Sequence, residues 1–175
     1  MTGGRAVRLI KSKIGLATAI AAAITSQARC EPKVHASYFC TSQVTAGISF
    51  NDQEKRWVTT NFGKNEGFVL KINYLGKKTR KLPGIKWSVE TYNVSLTKQG
   101  ENEPTLCIDH STEIAWEIDA LDDLLQCVTI GGKTHFQFNL KNSRFLSAYL
   151  NGYVQGQDND DDTPAITAGV CTKMN

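Results

Sequence analysis

The chain has 175 residues, 41% of them hydrophobic, with 20 Lys+Arg against 17 Asp+Glu and a formal net charge of +3. Four of the basic residues (Arg5, Arg8, Lys11 and Lys13) and none of the acids fall within residues 1–28, so residues 29–175 carry 16 against 17, a net charge of about −1. That balance excludes the broad positive field of a nucleic-acid binder. No later segment resembles a membrane span, and a 147-residue remainder suits one domain with a core of its own.

Residues 1–28 read as a targeting segment. The four basic residues precede an acid-free apolar run, Ile14 to Ile24, and a small-x-small site, Ser26-Gln27-Ala28. This order of regions describes a secretory signal peptide. The run is shorter than the roughly 20 residues a spanning helix needs. The competing reading is an amphipathic or buried N-terminal helix. Cleavage after Ala28 is preferred; Val34-His35-Ala36 also fits, but would leave a long charged stretch before the cut. Arg29 ahead of Cys30 argues against a lipoprotein. We therefore expect a periplasmic or secreted protein with a signal peptide over 1–28 and a single β-barrel domain over 29–175.

Export permits disulfides. Of the five cysteines, Cys30 sits in a polar tail beside the cleavage site. Cys40, Cys107, Cys127 and Cys171 then form an even set with three pairings open to it. We favour Cys40–Cys171, tying the first strand to the last, and Cys107–Cys127, closing a local loop. No Cys-x-x-Cys or Cys/His cluster supports the rival reading of metal-binding or reactive thiols.

The elements follow in order. Ser37 to Cys40 and Gly47 to Phe50 read as two short strands, Asn51 to Lys55 as a polar turn, and Arg56 to Thr60 as a β-branched and aromatic return strand. Asn61 to Glu66 reads as another turn. Phe68 to Tyr74 alternates, with Phe68, Leu70, Ile72 and Tyr74 inward, which marks a half-buried antiparallel strand. Gly76 to Gly84 is expected as a basic loop carrying Lys77, Lys78, Arg80 and Lys81. Ile85 to Thr97 is a long strand whose apolar phase changes between Ile85-Trp87-Val89 and Tyr92-Val94-Leu96, so a bulge near Glu90-Thr91 is expected. Leu106 to Ile108 and Ile114 to Ile118 are short strand candidates. Asp119 to Leu125 fits a helical turn capped by Asp119, with a strand leading to Cys127 as the near rival.

His135 to Val154 is the densest later segment and reads as two long strands about a turn at Lys141-Asn142-Ser143. The second carries apolar residues on both faces: Leu146, Ala148, Leu150, Gly152 and Val154 on one, Phe145, Tyr149 and Tyr153 on the other. It is expected to be central and covered on both sides. Gly152 suits a sharp bend or a close backbone approach. Ile166 to Cys171 is the last strand. Eight to ten short strands with regular turn signals predict an all-β antiparallel fold, preferably an eight- to ten-stranded lipocalin-like barrel, otherwise a β-sandwich.

Chemistry-bearing motifs are sparse. Asp158, Asp160 and Asp162 alternate like the start of a calcium loop, but Thr163 replaces the required Gly and Gly169 the bidentate Glu, so a solvated loop is the default. Asp109-His110-Ser111 holds three catalytic residue types, yet sequence neighbours seldom converge as a triad. Glu90, Glu113, Glu117 and Asp119 suit a carboxylate pair by type alone. The Lys77–Lys81 segment is a candidate for anions, acidic glycans or a membrane surface, with a solvated loop guarding a sheet edge preferred. Tyr38, Trp57, Trp87, Tyr92, Tyr149 and Tyr153 would either line a small-molecule cavity or fill a core.

One resemblance emerges. Tyr38-Phe39-Cys40-Thr41, Gly47, Trp57, Phe62, Arg144-Phe145, Tyr149, Gly152-Tyr153-Val154, Gly156, Asp158-Asn159, Asp161-Asp162-Thr163-Pro164 and Gly169 with Cys171 resemble an uncharacterised family of small exported alphaproteobacterial proteins. The resemblance covers most of residues 29–175. It implies export and four structural cysteines, and carries over no activity.

The preferred expectation is a non-enzymatic exported barrel that binds an unknown small ligand or protein, without a cofactor or metal. The alternatives are a protein-interaction module or inhibitor, and a periplasmic hydrolase using carboxylates or His110.

Overall fold

Burial alternates along the strands as the period of two in the sequence requires. In β3 (Phe68–Leu82) Leu70 and Ile72 are buried while Lys71 is exposed; in β8 (Thr134–Asn139) Phe136 and Phe138 are buried while His135 and Gln137 are exposed. A computed structural model describes residues 35–63, 67–111 and 114–175, all within one compact unit, Lys33–Asn175. The expected signal segment, its Ala28 cleavage site, Cys30 and Glu113 lie outside the described residues.

Ten antiparallel strands form one sheet that returns on itself. The remaining strands are β1 (Ala36–Asn51), β2 (Arg56–Phe62), β4 (Ile85–Lys98), β5 (Thr105–Ile108), β6 (Ile118–Leu121), β7 (Leu124–Thr129), β9 (Arg144–Tyr149) and β10 (Ala165–Met174). The hydrogen-bonded order runs β1, β3, β4, β5, β7, β8, β9, β10, and β10 pairs back onto β1 from Ser37 to Gly47. This eight-strand ring is the expected barrel, not the sandwich. Closing the ring gives each of those eight strands a partner on both sides within it, while the ends of β3 and β4 beyond the ring pair only with each other.

Two positions in the ring are shared. Between β4 and β7, β5 fills one half and β6 the other: β5 pairs with β4 at Ser95–Leu96, and β6 pairs with β4 at Glu90–Tyr92. Residues 109–111 and 114–117 thus belong to an excursion from a single interrupted strand. On β1, β2 and β3 occupy one edge in turn, β2 from Thr45 to Asn51 and β3 from Ala36 to Cys40.

Several local expectations are corrected. Gly47 to Phe50 is no separate strand but the second half of β1, whose register shifts between Ser42 and Val44. The segment Ile114 to Glu117 belongs to the excursion, and β6 begins only at Ile118. Asp119 to Leu125 is not helical. Leu121 faces Leu124 across a two-residue turn, with Asp122 and Asp123 both at positive φ (50° and 63°). That is the hairpin geometry whose twist matches the flanking strands, and aspartate tolerates it better than most residues.

The basic segment after Gly76 is strand, not loop: Leu82 faces Ile85 across a Pro83-Gly84 turn, with Gly84 at φ 80°. The phase change in β4 occurs as expected, with Thr91 and Tyr92 both buried, but the extra residue is Leu75 of β3, between the pairs Tyr74–Tyr92 and Gly76–Thr91. The second strand of the late hairpin stops at Tyr149 and is not covered on both sides. Leu146 is 42% exposed and Leu150 50%. A barrel wall has one inner face, so the outer apolar residues of β9 meet solvent.

The inner face is packed in layers. Tyr38, Ile72, Tyr92, Ile118, Leu125 and Phe138 fill one end, with the Tyr38 and Phe138 rings 5.1 Å apart. Two disulfides clamp the wall. Cys40–Cys171 joins β1 to β10 over 131 residues of sequence, and Cys107–Cys127 joins β5 to β7 over 20. Both pairings are those favoured from the sequence.

Candidate functional site

The packed interior stops short of the other end, where the barrel opens as a cup of about 640 Å³. Each of the eight ring strands contributes lining: Ser42 from β1, Phe68 from β3, Leu96 and Lys98 from β4, Thr105 from β5, Thr129 from β7, Thr134 and Phe136 from β8, Ser147 and Tyr149 from β9, Ala165 and Thr167 from β10. The order along β8 explains the depth. Phe138 lies in the packed layer, Phe136 two residues on forms the floor, and Thr134 reaches the rim.

The floor is aromatic. Phe68 stands edge-on to Phe136 and Phe145, with centroids 5.9 and 5.0 Å away, and Phe136 stacks on Phe145 at 6.0 Å. Edge-to-face and offset stacking are the favourable geometries for such rings. Above them runs a collar of hydroxyls from Ser42, Thr105, Thr129, Thr134, Ser147 and Thr167. Thr167 is already engaged, its Oγ1 3.1 Å from that of Thr45. Lys98 and Lys133 are exposed at the mouth. The cup is thus apolar below, hydroxylic in the middle and cationic at the entrance.

Tyr149 marks one side of the rim. Its hydroxyl donates to Asp162 Oδ1, and this bond to the charged carboxylate, followed by burial, raises the phenol above its ordinary pKa of 10.0. The same contact shows what the acidic loop does. Trp57 Nε1 donates to Asp158 Oδ1 at 2.9 Å, and Tyr149 holds Asp162. Asp158 and Asp162 serve protein donors, and among the described residues no three acidic, histidine or cysteine side chains gather in a metal-holding group. Gly152 is the reason the loop can lie so close: at φ 99°, a Cβ there would sit 1.8 Å from the Asp162 carbonyl oxygen.

The carboxylate candidates are brought together in part. Glu117 and Asp119 both meet Arg80, whose Nη2 lies 2.8 Å from Asp119 Oδ1 and 3.7 Å from Glu117 Oε2, while Lys78 Nζ lies 2.5 Å from Glu117 Oε1. Glu90 instead accepts the Tyr74 hydroxyl. Ser111 turns its backbone N–H and hydroxyl to Asp109 Oδ1, and His110 is exposed on the same excursion. A second, shallower groove on the outer wall is lined by His35, Asn73, Leu75, Lys78, Asn93, Trp116 and Glu117.

Of the six aromatics singled out from the sequence, only Tyr149 lines the cup. Tyr38 and Tyr92 lie in the packed layer, Trp57 meets Tyr153 edge-on at 5.5 Å, and Trp87 belongs to the β3–β4 hairpin. The floor phenylalanines were the missed residues. Their signal was present in the alternation of Phe136, Phe138 and Phe145, but that pattern does not tell a packed layer from the cup floor above it.

The two disulfides, with no helix among the described residues long and apolar enough to cross a membrane, are compatible with a periplasmic or extracellular setting. No family model, curated protein or solved structure matches the chain.

Proposed function

We propose that this is an exported, non-enzymatic β-barrel protein that holds a small amphipathic ligand in the open cup. The observation that carries the reading is the cup itself: about 640 Å³, floored by Phe68, Phe136 and Phe145, and entered past Lys98 and Lys133. Ligand sites are typically clefts of about 300–1,000 Å³, mainly apolar, with a few placed polar groups. Three rings supply an apolar seat, the hydroxyl collar supplies adaptable donors and acceptors, and the lysines favour a negative head group. Export rests on the order of charge, apolar run and small-residue site in 1–28, together with the disulfides.

The test is a titration with anilinonaphthalene sulfonate, an aromatic body bearing one anion, followed by native mass spectrometry of the protein recovered from cells. The expected results are one saturable site and a retained small-molecule mass. Ser147→Trp, which places an indole inside the cup, should abolish both while leaving the melting transition cooperative. A wild-type protein that binds no probe and carries no added mass would remove this reading.

One observation favours a second reading, a protein-interaction module. Leu150, Tyr153 and Val154 are 50%, 56% and 83% exposed beside the acidic loop. Exposed apolar groups gathered in this way mark interaction surfaces. A partner retained from periplasmic extract by the wild type but lost with Val154→Lys would support it; equal retention by both would not.

A further inference from the structure

We infer that the tip of the β3–β4 hairpin is a membrane-surface contact, with Leu82 and Ile85 entering the lipid boundary and Lys81 and Lys86 meeting anionic headgroups. The inference is independent of the cup. Its first support is where the hairpin stands. Among the described strands, β3 pairs with β1 only as far as Ile72, and β4 pairs with β6 only back to Glu90. Residues from Lys78 to Val89 therefore pair only with one another, and the arm from Gly76 to Leu82 spans roughly 20 Å at strand rise.

The second support is composition. Residues 77–87 contain Lys77, Lys78, Arg80, Lys81 and Lys86 and no acid. Lys78 and Arg80 are neutralised at the base by Glu117 and Asp119. Lys81 and Lys86 lie directly opposite each other. Like charges in facing positions destabilise a hairpin, and among the described residues no ion pair holds either lysine. Anionic headgroups beside both lysines would offset that repulsion.

The third support is the apolar end. Leu82 and Ile85, the facing pair next to the turn, are each 60% exposed, and Pro83 and Gly84 cap them with no charge. Trp87 lies on the Leu82–Ile85 side of the hairpin, opposite Arg80. From the turn inward the facing pairs run Leu82–Ile85, Lys81–Lys86 and Arg80–Trp87, so an apolar tip for the acyl boundary is followed directly by a lysine pair at headgroup depth, with the amphipathic Trp87 ring just behind it in the interfacial zone. A soluble anionic polymer would use the lysines and leave Leu82 and Ile85 unrewarded, so the lipid surface is the occupant that accounts for both pairs.

The test is co-sedimentation of the protein, in the form recovered from cells, with vesicles of phosphatidylglycerol mixed with phosphatidylcholine, and with phosphatidylcholine alone. Binding is expected on the anionic vesicles and should weaken with salt. Lys81→Ala/Lys86→Ala should weaken partitioning on the order of 30-fold, about fivefold for each lysine. Leu82→Ser/Ile85→Ser should weaken it by roughly tenfold or more. Brominated acyl chains should quench fluorescence in the wild type, and Trp87→Phe should remove that quenching, which assigns the contact to the tip and not to residues 1–28. Binding that ignores lipid charge, or that survives Leu82→Ser/Ile85→Ser, overturns the inference. So does lysine-dependent binding to heparin without binding to the vesicles.

Discussion

Cys40 and Cys171 are direct cross-strand partners, bonded through their side chains at the seam where the last strand of the ring meets the first. Their backbones already belong to one ladder, so the disulfide restrains the unfolded chain more than it shapes the folded one. On the loop-entropy model the cross-link contributes about 5 kcal/mol, and Cys107–Cys127 about 3 kcal/mol, both upper-range figures. Urea unfolding of Cys40→Ala/Cys171→Ala and of Cys107→Ala/Cys127→Ala should therefore show the first pair as the costlier loss. Equal losses would mean that seam pairing, and not chain entropy, dominates.

Tyr149 provides a pH signature. The hydrogen bond from its hydroxyl to Asp162 raises the phenol's pKa. Deprotonation would set a phenolate against a carboxylate. A raised folded-state pKa contributes stability that is fully present below the unfolded value of about 10 and is lost as pH rises through the folded value. Ultraviolet titration should contain a Tyr149 component that ionises above the ordinary range. Asp162→Asn removes the charge and should bring that titration back down, and Tyr149→Phe should delete it. An unchanged curve in Asp162→Asn would break the assignment.

What the sequence made legible follows from what sets each feature. The strand faces were readable because alternation is local: Leu70, Ile72, Phe136 and Phe138 stand inward as their spacing requires. The disulfides were readable once the chain ends were taken as neighbouring strands. Turn chemistry misled where two residue preferences compete. Asp122-Asp123 sits among leucines at helical spacing, yet it forms a two-residue hairpin turn because each half-strand finds a ladder partner. Lys77 to Lys81 looks like a loop by charge and is strand because β4 lies beside it. The cup was beyond sequence, since its floor depends on which inner layer comes last before the mouth, and that is set by the stagger of strands distant in sequence.

The ion-pair group behind the hairpin makes a separate prediction. Arg80, Asp119 and Glu117 have side chains only 18%, 16% and 10% exposed, and Arg80 bonds Asp119 through Nε at 2.9 Å and Nη2 at 2.8 Å. Removing one member of a buried pair leaves the other charge desolvated, which costs about 3–5 kcal/mol. Lys78 still serves Glu117, so Arg80→Met should fall at the low end, about 3 kcal/mol. The double change Arg80→Met/Asp119→Leu should recover much of the loss, because no lone charge remains. Thermal or urea unfolding of the three proteins decides it; a double variant worse than the single one would show that the pair itself, and not its orphaned half, is what matters.

Gly152 joins these threads at the rim. Its φ of 99° strains any side chain, and an added Cβ would lie 1.8 Å from the Asp162 carbonyl oxygen. Gly152→Ala must therefore push the acidic loop away from the turn Tyr153–Gln155, and the loop carries Asp162 away from Tyr149. Two readouts should move together. Stability should fall by about 1–3 kcal/mol, the range for backbone strain in a sparsely populated region. The high tyrosine titration should drop toward the ordinary range, as in Asp162→Asn. A stability loss with the Tyr149 titration unmoved would mean that the loop and the rim are held independently, and that the close approach at Gly152 serves the turn alone.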